Sequence, residues 1–133
     1  MKRSAAKIVI AKNTGFCKGV KRAVQITERT LAENPGRNVY SLGPVIHNSE
    51  AMRKLSGLGL KVAKSVAGIP EGSVLILPSH GTPESVITVA AGKRLKLVDV
   101  TCPHVASVKR ICRDLCARGR KVVIIGEAEH AEI

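Results

Sequence analysis

Apolar residues follow two rhythms along this chain. Short aliphatic runs bounded by turn residues alternate with longer stretches in which apolar positions recur every three or four residues. The short runs are KIVIA at 7–11, NVYSL at 38–42, a minor KVA at 61–63, VLIL at 74–77, LVDV at 97–100 and KVVII at 121–125. VLIL is apolar at every position, which predicts a strand buried on both faces. The longer stretches predict helices with punctuated ends. One covers 20–33, with Val20, Val24, Thr27 and Leu31 along one face and Asn-Pro-Gly at 34–36 as its stop. A second is capped by Asn48, buries Met52 and Leu55, and ends at Gly57 or Gly59. A third is capped by Thr82, has Pro83 in its first position and ends near Gly92. The fourth covers 103–117, with Cys102 at its cap, Pro103 as its first residue and Gly119 after its end.

Strands that alternate with helices imply an α/β fold: a mainly parallel sheet with helices on both faces. In such sheets ligands gather outside the carboxyl ends of the strands. Cys17, in TGFCKGV, and Cys102, in DVTCPHV, both fall there, as do His47, His80 and His130.

Composition narrows this picture. Aromatic residues make up 2% of the 133 positions, so the core is Val, Ile, Leu and Ala. No apolar run reaches the roughly 18–20 residues that span a bilayer, and the basic, alternating N-terminus lacks the long apolar stretch of a signal peptide. A cytoplasmic protein is the expectation. The net charge of +12 is spread along the chain. It fits a solvated basic surface, an anionic small substrate, an acidic protein partner or nucleic acid. Phe16 and Tyr40 are the only aromatic side chains besides histidine, which argues against base stacking and hence against nucleic acid.

Four cysteines in such a chain suggest metal binding or buried thiols, not a disulfide framework. Gly15 and Gly19 flank Cys17 and let the backbone approach a bulky ligand. Cys102 at a helix N-terminus lies where the dipole stabilises a thiolate or an anionic cluster. Taken alone, the pair fits either metal ligation or two half-buried structural thiols. Cys112 and Cys116, at i and i+4 beside Val105, Val108 and Leu115, read as small core residues. A zinc site with Cys102 is the alternative for them. His80 in PSHGTP follows a buried strand and precedes a capped helix, a place suited to an anion. His47 stands in a similar loop. His130 and Glu132 share a face of an extended segment, which suits substrate binding and proton delivery. His104, inside the first turn of a helix, reads as structural.

The motifs GFCKGV, PVIHNSE, PSHGTP, DVTCPHV and EHAEI, in this order, closely resemble the 4-hydroxy-3-methylbut-2-enyl diphosphate reductase family, iron–sulfur enzymes that end the non-mevalonate isoprenoid pathway. The resemblance runs from about Lys7 onward. It implies that Cys17 and Cys102 are two of three cysteine ligands of a 4Fe-4S cluster, its fourth iron open to the substrate hydroxyl. It also implies that His47, His80 and His130 bind the allylic diphosphate substrate and that Glu132 takes part in proton delivery. The implied reaction is a reductive dehydroxylation giving isopentenyl and dimethylallyl diphosphates. An acidic electron donor, a ferredoxin or flavodoxin, would suit the basic surface.

The family has three α/β domains with one cluster cysteine near each. The third cysteine motif and the later Ser/Asn-rich diphosphate-binding segments have no counterpart here. The expectation is an N-terminal portion, with a first domain at 1–101 and the beginning of a second at 102–133, inactive alone. The competing expectations are a non-catalytic basic α/β module that binds phosphate or RNA, and the zinc-binding domain already mentioned.

Overall fold

Four parallel strands form one sheet in the computed structural model, which describes residues 7–12, 14–127 and 130. In chain order the elements are α1 (Lys18–Glu33), β1 (Val39–Leu42), α2 (Ser49–Gly57), β2 (Leu60–Ala63), a single 3-10 turn (Val66–Gly68), β3 (Val74–Leu77), α3 (Glu84–Gly92), β4 (Lys96–Asp99) and α4 (Pro103–Ala117). The strand order is β2-β1-β3-β4, and every pairing is parallel.

The sequence of β3 explains why it is central. All four of its residues are buried, so it needs cover on both faces. Val74 and Ile76 point to one face, where they pack with Val39, Leu55, Leu60 and Ala23 under α1 and α2. Leu75 and Leu77 point to the other, against Val66, Ile69, Ala90 and Leu95 beneath α3 and the 3-10 turn. The period-two alternation of one strand thus builds both halves of the core. The buried polar side chains of α1 are satisfied inside the helix: Thr27 Oγ1 donates to the Ala23 carbonyl at 2.8 Å and Asn34 Nδ2 to that of Thr30 at 2.8 Å.

Several expectations change. Residues 7–11 and 121–125 do not form strands. Ile8, Val9 and Ile10 are largely exposed, as are Val123 and Ile125. An apolar run signals a strand, but a strand exists only beside a neighbour that takes its hydrogen bonds, and these two runs have none in the described sheet. Helix α1 starts at Lys18, which makes Cys17 its N-cap. Its buried face is Gly19, Ala23, Thr27 and Thr30, with Val20, Val24 and Leu31 only flanking the core. Ala23 of this face packs into the core cluster with Val39, Leu55 and Val74. Pro83, not Thr82, is the N-cap of α3, and the Thr82 hydroxyl is buried with no hydrogen-bond partner among the described residues. The caps at Asn48 and Cys102 are as expected, and Asn48 Oδ1 accepts from the Ala51 amide at 2.9 Å.

Cys112 and Cys116 are not core residues. Helix α4 buries none of its side chains; Cys116 is exposed and Cys112 only half-buried. Val108, Ile111 and Leu115 form its apolar stripe and remain exposed. None of the helices is long and apolar enough to cross a membrane among the described residues.

Candidate functional site

The order β2-β1-β3-β4 contains a switch point. From β1 the chain turns outward to β2 through α2 on one face. From β3 it turns the other way to β4 through α3 on the opposite face. The loops leaving the carboxyl ends of β1 and β3 therefore part and leave a crevice between them, the usual ligand position in such sheets. His47 lies in the first of these loops and His80 in the second.

The sheet's hydrogen bonding continues past the strand ends and fixes these loops side by side. The Val100 amide donates to the Leu77 carbonyl at 3.1 Å, the Ser79 amide to that of Val45 at 3.0 Å, and the Cys102 amide to that of Ser79 at 2.8 Å. The β1, β3 and β4 loops form one laterally bonded edge. Across it the His47 and His80 ring centroids are 5.4 Å apart, and the His130 ring lies 6.4 Å from that of His47. The three imidazoles expected to act together do lie together, with the His47 ring near both of the others. His80 Nδ1 is 3.1 Å from the Gly81 carbonyl oxygen. Glu132 lies outside the described residues.

The two cysteines meet at the same edge from different elements. Cys17 caps α1 and Cys102 caps α4. Their meeting point is defined by Gly19. A Cβ built on that glycine would stand 2.7 Å from Cys102 Sγ and 3.9 Å from Cys17 Sγ. Both sulfurs thus surround a space that any side chain at position 19 would fill. Arg22, one turn further along α1, donates from Nη1 to the Thr101 carbonyl at 3.3 Å and ties α1 to the residue before Cys102. Two helix N-termini face the pair, and their free amides and dipoles favour negative charge there. The Cys102–Ser79 hydrogen bond sets the sulfur pair beside the His80 loop.

The chain as a whole is similar to known proteins. The family model described as LytB protein matches residues 8–133. The chain belongs to the LytB protein family. It is 39% identical over 126 residues to a 4-hydroxy-3-methylbut-2-enyl diphosphate reductase of Clostridioides difficile, covering 95% of this chain and 45% of that protein. A reductase of the same name from Aquifex aeolicus is 40% identical over 126 residues, with 95% and 43% covered. Among solved structures, the (E)-4-hydroxy-3-methyl-but-2-enyl diphosphate reductase described as the terminal enzyme of the non-mevalonate pathway superposes with a TM-score of 0.81 at 39% identity, over 94% of this chain and 44% of that one. The Plasmodium falciparum reductase superposes with a TM-score of 0.87 at 29% identity, over 91% and 38%. The chain spans less than half the length of these LytB relatives.

Against that background some expectations gain precision and others fail. Gly19 was expected to give room beside Cys17. It stands closest to Cys102, a contact across the fold that motif spacing does not encode. Arg22 and Lys109 carry no sequence signal, because a basic residue on a helix surface usually reads as solvated. The zinc alternative loses its geometry: among the described residues no group of three or more His, Cys, Asp or Glu side chains could hold a metal ion.

Proposed function

We propose that this chain forms the amino-terminal part of a LytB-type reductase and supplies one side of its active site. In this reading Cys17 and Cys102 hold a 4Fe-4S cluster, with a third cysteine provided by polypeptide outside residues 1–133. The arrangement of the residues present supports the fit: two thiols converge on a cradle kept open by Gly19, and two helix N-termini offset the charge of thiolates. When bound, such a cluster supplies an electron path and a Lewis-acidic iron toward a hydroxyl oxygen.

The rest of the chemistry falls to this chain's own side chains. His47, His80 and His130 bind the diphosphate of 4-hydroxy-3-methylbut-2-enyl diphosphate. Several N–H donors converging on one point suit a multiply charged anion. Anchoring the diphosphate beside the sulfur pair holds the hydroxyl end of the substrate toward the cysteines. Glu132, two residues after His130, delivers the proton needed as the hydroxyl departs, giving isopentenyl and dimethylallyl diphosphates. Lys18, Lys21 and Arg22 follow Cys17 directly and are exposed, so an acidic ferredoxin or flavodoxin is the electron donor we favour. The seam between a first domain at 1–101 and a second beginning at 102 is supported by α4, whose apolar stripe is uncovered. Four free thiols suit the reducing cytoplasm.

The observation that carries this reading is the meeting of two N-cap sulfurs over Gly19 beside three imidazoles at the sheet's switch point. Anaerobic reconstitution with ferrous iron and sulfide tests the metal half. Chelator-labile iron that depends on both Cys17 and Cys102, without reductase turnover, is the expected outcome. Iron retained in the Cys17→Ser/Cys102→Ser double variant would refute the site. A stoichiometric cluster with turnover would overturn the need for a third cysteine. Inorganic diphosphate tests the other half. It should shift the imidazole resonances of His47, His80 and His130 together, and His47→Ala should weaken binding roughly tenfold or more, the scale of one charge-assisted hydrogen bond. Resonances that stay in place would remove the diphosphate assignment.

A further inference from the structure

Helix α4 buries no residue fully against the rest of the fold. Its first residue follows Cys102, and the Cys102 amide already holds the Ser79 carbonyl. Two turns further on, Lys109 reaches back over the same loop. Its Nζ lies 3.5 Å from the next carbonyl, that of His80. The two carbonyls of consecutive residues are thus held from one helix, one by a backbone amide and one by an ammonium.

Gly81 shows how closely this fits. Its φ of +87° belongs to the region that favours glycine, and it closes the turn by donating to the Pro78 carbonyl at 3.0 Å. A Cβ at Gly81 would run into Lys109 Nζ and stand 3.2 Å from Cε and 3.6 Å from Thr101 Cγ2. The peptide between His80 and Gly81 is therefore held on both sides, its N–H by Pro78 and its oxygen by Lys109. His80 Nδ1 lies at hydrogen-bond distance from the next carbonyl oxygen, that of Gly81. Among the described residues no carboxylate pairs with Lys109, although its side chain is half-buried. Burial of a lysine without a counter-ion has a cost, which its carbonyl contact partly offsets.

We propose that Lys109 is a positioning residue that fixes the His80 imidazole relative to Cys102, so that the anion-binding and sulfur-bearing halves of the site keep one spacing. The assignment rests on the reading of the site given above, because it presumes that His80 meets an anion. Lys109 acts through the 80–81 peptide and need not touch the ligand.

The test uses the whole chain, inorganic diphosphate as the probe, and amide exchange as a readout that needs no ligand. Lys109→Met should weaken diphosphate binding about tenfold, the scale expected for one hydrogen bond to a charged group. It should also speed exchange of the Gly81 amide relative to the amides of β3. Lys109→Arg should recover most of both effects. In a His80→Ala background Lys109→Met should add little, since a residue that acts through His80 has nothing left to position. Unchanged Gly81 exchange in Lys109→Met, in a chain whose circular dichroism matches the parent, overturns the proposal. So does full additivity with His80→Ala. Wild-type chain that binds no diphosphate at all would instead defeat the underlying site assignment, while the exchange measurement still decides whether Lys109 holds the turn. Should Lys109→Met fold poorly, Lys109→Gln, one atom shorter and uncharged, removes the ammonium and gives a second comparison.

Discussion

Exchange of Gly19 for alanine is expected to abolish the joint capture of Cys17 and Cys102 while leaving the fold intact. Two effects oppose each other at this position. Gly19 lies inside α1 with ordinary helical backbone, so alanine gains about 1 kcal/mol of helix propensity. The new methyl, however, would stand 2.7 Å from Cys102 Sγ, closer than non-bonded atoms approach. The sulfur must move, and Cys102 can turn away because it is only half-buried. Stability is therefore kept and geometry lost. The measurement is cross-linking by a bimane with two bromides, fluorescent only when both are displaced by thiols, in a chain carrying Cys112→Ser and Cys116→Ser. Parent chain should become fluorescent, and the Gly19→Ala chain should not. Its thermal midpoint should stay within a few degrees of the parent. Cross-linking equal to that of the parent would show that the cradle over Gly19 is not what sets the sulfur pair.

Leu75→Ala should have the largest effect on stability. Leu75 is fully buried in the middle of β3, paired with Tyr40 of β1 on one side and Leu97 of β4 on the other. Its side chain fills the half-core beneath α3, among Val66, Ile69, Ala90 and Leu95. A cavity there cannot close by collapse of one helix, because strands on both sides hold the backbone in register. The cost is about 2–5 kcal/mol, against a total of about 5–15 kcal/mol for a domain of ordinary stability. The thermal midpoint should fall by roughly 10 °C or more. Val62→Ala on edge strand β2, where the side chain is 51% exposed, is the control and should cost less than about 1 kcal/mol. Equal losses in the two variants would mean that β3 is not the structural centre of the sheet. Imidazole contacts across the switch point should loosen with Leu75→Ala before global unfolding, since β3 carries the His80 loop.

Much of this architecture is written locally. VLIL announces a doubly buried strand because every position is apolar, and its flanking strands then follow from the alternation with helices. Asn48, Pro103 and Gly119 set helix ends by chemistry that acts within one turn. The motifs around His47, His80 and Cys102 point to strand-end chemistry, and each does follow a strand, whereas the runs before Cys17 and His130 form none among the described residues. Other features were illegible for a physical reason. KIVIA and KVVII have strand composition, yet composition says nothing about whether a neighbour is there to pair with. The stripe of Val105, Val108 and Leu115 in α4 reads as core, yet in the described structure Val108 and Leu115 are exposed and Val105 is half-buried. Helix α1 buries Gly19, Ala23 and Thr30 where Val20, Val24 and Leu31 are expected, because contacts with distant segments, not periodicity along the helix alone, set the innermost face.

The alternation of strands and helices, the parallel α/β class, and the placement of His47, His80 and Cys102 after strands are legible in the sequence alone. These depend on periodicity and on caps, which are interactions between near neighbours in the chain. The tertiary structure was needed to show that Cys17 and Cys102 share the space over Gly19, that the His47 ring is near those of His80 and His130, and that Lys109 reaches the His80 carbonyl. Each of these is a contact between distant segments. It is fixed by the order in which strands pair and by the close packing of their loops, neither of which leaves a mark on the residues immediately beside it.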